Sequence, residues 1–137
     1  MKKITLWLLA FVPMAFVSCE KIKSPAPEQV KASITTGTWY VASFERNGSP
    51  YFMFAGYDFT FAPGGGLNVK KGNTSVNGTW VLNVIENETT LDLQLGSSDP
   101  FNQLNQDWVV TDHIPTQVKT HDFDNGAHDI VVFRKNQ

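Results

Sequence analysis

The chain has 137 residues, 42% apolar and 18% charged, which fits one domain with a real core rather than two. Eleven basic against thirteen acidic side chains give a net charge of −2 with no basic block; phosphate binding needs clustered Lys and Arg, so nucleic acid is excluded as a main partner. A single cysteine excludes an internal disulfide framework and a cysteine-rich zinc site, while ten Phe, four Trp, three Tyr, ten Gly and seven Pro favour short strands and many turns.

Lys2 and Lys3 open the chain, and an apolar run from Ile4 to Val17 follows, interrupted by Thr5 and Pro13. About 14 residues falls short of the ~20 that a spanning helix needs and matches the h-region of a secretory signal. Phe16-Val17-Ser18-Cys19 resembles a bacterial lipobox, an aliphatic–small pair directly before cysteine. The resemblance implies that residues 1–18 are a lipoprotein signal peptide and that Cys19 becomes the lipidated first residue, anchoring the protein in a membrane. With Glu20 rather than Asp after the cysteine, it implies the outer membrane, facing the periplasm or the cell surface. Cleavage would leave nine basic against thirteen acidic side chains, a net charge of −4. Residues 19–36 read as a lipidated tether, in which Ser24-Pro25-Ala26-Pro27 favours polyproline geometry at ~3 Å per residue. Gln29 to Ile34 allows one helical turn before the domain.

From Gly37 to the end at Gln137 the pattern has period two, punctuated by Gly, Asn and Pro, and predicts eight strands. The first, Thr38 to Arg46, stops at Asn47-Gly48-Ser49-Pro50. In the second, Tyr57, Phe59 and Phe61 alternate with Asp58 and Thr60. Pro63-Gly64-Gly65-Gly66 turns the chain into Leu67-Asn68-Val69, and Lys71-Gly72-Asn73 turns it again. Trp80, Leu82 and Val84 mark the fourth strand, and Leu91, Leu93 and Leu95 the fifth. A longer loop, 96–105, precedes Asp107 to Asp112; Thr116 to Phe123 and His128 to Arg134 follow, joined by a hairpin turn at Asn125-Gly126. Strands that are neighbours in sequence, joined by tight turns and apolar on one face, bury that face by curling into a closed sheet. The expected fold is therefore all-β, an eight-stranded antiparallel up-and-down barrel.

Gly37-Thr38-Trp39 at the start and Phe133-Arg134 at the end of this pattern resemble the lipocalin arrangement. There, a Gly-x-Trp on the first strand packs under a basic residue near the end of the barrel. The second Gly78-Thr79-Trp80, then Leu91-Asp92-Leu93, then Phe101 and Leu104 to Val110 are similar to the lipocalin-like domains of Bacteroidetes lipoproteins. The resemblance covers about residues 35–136. It implies that Gly37, Trp39 and Arg134 are structural and close one end of the barrel, with the cation over the indole face adding roughly 0.5–2 kcal/mol.

An eight-stranded barrel is just wide enough either to be filled by side chains or to hold one small ligand. The inward parity collects Trp39, Phe59, Phe61, Trp80, Leu82, Leu91, Leu93, Trp108 and Val110, which disfavours a deep pocket and leaves room for a shallow one at the mouth. Tyr51-Phe52-Met53-Phe54-Ala55-Gly56-Tyr57 follows the first turn, where the mouth loop of such a barrel lies, and five of its seven residues are large and apolar. One reading makes it a lid in which Tyr51, Phe52, Phe54 and Tyr57 contact a small hydrophobic or amphipathic ligand. The other makes it a plain cap on the core, with the barrel serving as a protein-interaction or inhibitor module through its outer surface or the 96–105 loop. His121-Asp122-Phe123-Asp124-Asn125-Gly126 and His128-Asp129 lack the later Glu of a calcium loop and read first as a turn. No metal site, cofactor or catalytic residue is expected: the chain carries no Gly-x-Ser-x-Gly, His-Glu-x-x-His or phosphate loop.

Overall fold

The structure, a computed structural model, describes residues 24–123 and 128–137. The signal segment 1–18, Cys19 and the Asn125-Gly126 turn lie outside the described residues. A helix, α1 (Pro27–Ile34), is followed by nine strands: β1 (Trp39–Arg46), β2 (Ser49–Pro50), β3 (Asp58–Phe61), β4 (Gly66–Lys71), β5 (Thr74–Ile85), β6 (Glu88–Gln94), β7 (Gln106–Ile114), β8 (Gln117–Asp122) and β9 (Ile130–Lys135). From β3 to β9 each strand pairs antiparallel with the next, β3 pairs with β1, and β1 pairs with β9 from Trp39↔Lys135 to Glu45↔Ile130. The result is a closed eight-stranded antiparallel barrel with one extra strand, the two-residue β2, as the alternation predicts.

Closure is driven by the apolar face. In β3 the pattern is strictly exposed–buried, and β6 buries Leu91 and Leu93 while Asp92 stays partly solvated. The enclosed space is filled: Trp39, Phe44, Phe59, Phe61, Trp80, Trp108 and Phe133 are all buried, together with the leucines and valines between them. Their rings form a continuous series of tilted and edge-on contacts, from Trp80 through Phe61 (5.7 Å) and Phe133 (6.0 Å) to Phe59 (5.6 Å) and Phe54 (6.2 Å). Leu82, expected inside, is only half-buried at the margin of this core.

Two glycines are required by geometry. Gly37 takes φ +71°, which L side chains rarely adopt, and sets the entry of Trp39. A Cβ added at Gly78 would stand 2.1 Å from the Gln94 carbonyl oxygen, so β5 and β6 approach this closely only with glycine there.

The structure corrects two expectations. Within the segment 19–36 read as a tether, with one helical turn allowed at Gln29 to Ile34, the helix already starts at Pro27, where a proline in the first turn is tolerated because its missing N–H would have no helical partner. Val30 and Ile34, one turn apart, are fully buried and plug the end of the barrel where Trp39 lies. Ser24 and Pro25 continue this docking by accepting hydrogen bonds from the Thr89 backbone N–H and the Thr89 hydroxyl. Second, the cation over Trp39 is Lys135, with Nζ 5.2 Å from the ring centroid, not Arg134. The register pairs Lys135 with Trp39 and Arg134 with Tyr40, so Arg134 faces outward, where Nε donates to Gln117 Oε1 at 2.9 Å. The 96–105 loop, read as a longer connection, is pinned to the core. A short 3-10 turn, Phe101–Leu104, drives Phe101 and Leu104 into the core, and Trp108 Nε1 donates to the Leu104 carbonyl at 2.9 Å.

Candidate functional site

β1 and β3 share a single register pair, Trp39↔Phe59, low in the barrel. Above it the two strands part, and residues 47–57 occupy the gap. Asn47 and Gly48, at φ 50° and 79°, make the tight turn that folds β2 back on β1, and Tyr51 N donates to the Phe44 carbonyl at 2.7 Å. Two successive turns follow, closed by Ala55 N to Phe52 O and Tyr57 N to Phe54 O, both 3.2 Å. These turns split the aromatic run. Phe54 points inward and is 1% exposed, against Phe44 (5.8 Å), Phe59 (6.2 Å) and Phe101 (6.3 Å), while Phe52 is 79% exposed.

The parted seam leaves a cleft of about 350 Å³ between residues 41–45 of β1 and residues 50–55 of the loop. Its walls include Ser43, Phe44, Glu45, Tyr51, Phe52 and Phe54. Beneath it Phe54 packs with Phe101 in the filled core, which also takes in Leu104. Phe44 stands edge-on to Tyr51 (5.1 Å) and to Trp108 (6.0 Å), so the cleft floor communicates with a buried indole. Glu45 carries the one carboxylate among the described residues lining it, and no Lys, Arg or His is among them. The neighbouring Arg46 is occupied elsewhere: Nε lies 3.7 Å from Asp129 Oδ2, Nη1 donates to Gln103 Oε1, and the guanidinium carbon sits 5.8 Å from the Tyr51 ring centroid.

Of the four residues predicted for ligand contact, Tyr51, Phe52 and Phe54 line the cleft. Tyr57 does not; it packs edge-on to Phe101 at 5.4 Å, with Lys71 Nζ 5.2 Å from its ring centroid. Sequence reasoning missed Phe44, Glu45 and Ser43. A bulge between Val41 and Ser43 breaks the parity of β1, so Trp39 and Phe44 are both buried although five residues apart. The five-residue spacing of two large aromatics within one predicted strand was the available signal. Gly37 and Trp39 stand at the opposite, closed end, where β1 begins and β9 ends. Among the described residues no group of three His, Cys, Asp or Glu is placed to hold a metal. His121 lies near the end of β8, with Nδ1 2.6 Å from the Asp122 carbonyl oxygen.

No family model and no curated protein matches the chain. Among solved structures it is similar to a DUF4847 family protein from Bacteroides vulgatus, with a TM-score of 0.54 and 16% identity over 78% of this chain and 97% of that one. At that identity the likeness concerns the fold, an antiparallel barrel shared with a protein of unknown function.

Proposed function

We propose that the protein is a membrane-anchored, lipocalin-like binding protein that takes a small hydrophobic or amphipathic molecule into the cleft between β1 and the 50–55 loop. The observation that carries this reading is the coincidence of the aromatic loop with a cleft of about 350 Å³ on a barrel whose interior is otherwise filled. A cleft of that size, walled by aromatic rings with a few polar atoms at its rim, suits a small, partly planar ligand. Anchoring through Cys19 rests on the lipobox-like sequence Phe16-Val17-Ser18-Cys19. Neither catalysis nor a cofactor is part of the proposal.

Titration with N-phenyl-1-naphthylamine, which brightens on entering an apolar site, tests it. The wild-type chain should give saturable enhancement. Phe52→Ala, removing a mostly exposed ring that contributes one wall, should weaken binding about fivefold, equivalent to about 1 kcal/mol of apolar contact, without loss of fold. Absence of saturation, or an unchanged Phe52→Ala, contradicts the reading. Exposed Phe52 and Met53 at the loop tip favour a second reading, a protein-contact surface, and that failure would leave it standing.

A further inference from the structure

The charge distribution around the cleft narrows the ligand class, given the small-molecule reading on which this inference rests. Tyr51 and Phe52 present aromatic surface over the buried rings of Phe44 and Phe54, and the faces of such rings carry negative potential. Glu45 adds a carboxylate to the same walls, and that carboxylate has no ion-pair partner among the described residues. The nearest arginine does not neutralise it, since Arg46 is committed to Asp129 and Gln103. The Tyr51 ring already has a guanidinium at 5.8 Å, an arrangement that shows this aromatic wall in contact with a cation.

An apolar ligand without charge would cover a half-buried carboxylate and leave it without a counter-ion, which costs free energy. An anionic ligand would add like-charge repulsion. A ligand with an ammonium group beside its apolar body meets both the carboxylate and the ring faces. We infer that the cleft selects cationic amphiphiles, amines or quaternary ammonium compounds, with Glu45 as the counter-charge and Tyr51 and Phe52 as the aromatic walls.

Calorimetric titration of the chain with octyltrimethylammonium, octanol and octanoate, each below its micellar concentration, separates the possibilities because the three share one apolar tail. The cation is expected to bind about tenfold tighter than the alcohol, and octanoate weakest. Glu45→Gln should bring the cation-to-alcohol ratio close to one. Glu86→Gln, in the β5–β6 turn at the other end of the barrel, should preserve it. Thermal melts of both variants establish that each is folded. Equal affinities in the wild type, a preference for octanoate, or a cation preference that survives Glu45→Gln overturns the inference and leaves the small-molecule reading intact. If none of the three binds, both fall.

Discussion

The two ends of this barrel are built on opposite terms. At the closed end the large apolar groups are covered: Trp39 lies under Lys135, with its buried Nε1 the one polar atom of that ring and left without a hydrogen bond among the described residues, Val30 and Ile34 of α1 fill the opening, and Lys135 Nζ donates to Thr36 Oγ1 at 2.7 Å. His113 Nε2 and Ser33 Oγ, 2.8 Å apart, tie α1 to β7, and burial lowers the imidazole pKa against the opposing pull of Asp112. At the open end β1 leaves β3 after one register pair, and the chain bridges the gap with a loop that buries one aromatic ring and exposes the next. The same residue types therefore serve structure at one end and surface at the other. Position in the barrel decides which: a helix covers the core at the closed end, whereas at the open end the 47–57 loop and the Phe101–Leu104 turn bury Phe54, Phe101 and Leu104 and leave Phe52 outside.

That contrast can be broken from the structural side first. Ile34→Ala should destabilise the fold by about 3 kcal/mol, because a fully buried branched side chain is removed from a plug that cannot collapse. Denaturant melts check this; a change under about 0.5 kcal/mol would mean that α1 is a loosely attached tether after all. A smaller effect distinguishes adjacent cations. Lys135→Gln should cost about 1 kcal/mol through the lost contact with Trp39, whereas Arg134→Gln, on the outer face, should stay under about 0.5 kcal/mol.

The smallest expected effect lies on the barrel wall, where Asp92 and Asp107 stand directly opposite across β6 and β7. Burial, and then the neighbouring Asp92 charge, raises the Asp107 carboxyl pKa above its ordinary value. A carboxyl that titrates higher in the folded state than in the unfolded one destabilises the fold when ionised, and the penalty is relieved as pH falls through the raised pKa. Asp107→Asn should accordingly stabilise the protein at neutral pH by only about a few tenths of a kcal/mol, because solvent screens this partly exposed pair, and that gain should shrink in acid. A gain that is constant with pH would assign the effect to packing instead.

Much of the architecture is legible in residue order because the determining interaction is local. Leu91, Leu93 and Leu95 alternate with polar neighbours, and Asn47-Gly48 marks its turn, whatever the rest of the chain does. What sequence reading missed depends on distant partners. α1 is two turns long with only Val30 and Ile34 as apolar anchors, so its helical state depends on the barrel end that receives them. The exchange of Arg134 for Lys135 is one step of register, set by where β9 meets β1. The cleft itself follows from a bulge in β1 and the early parting of β3, neither of which any single stretch encodes. Hence the loop's aromatics were visible in advance, while Phe44 and Glu45, which complete its walls, were not.

The most direct test of the division between the two ends is to map amide chemical shifts during titration with N-phenyl-1-naphthylamine. The account predicts saturable changes concentrated at residues 41–45 and 50–55, with the amides of Ile34, Trp39 and Lys135 unmoved. Changes centred on the closed end, or spread evenly round the barrel with no focus at the parted seam, would contradict it.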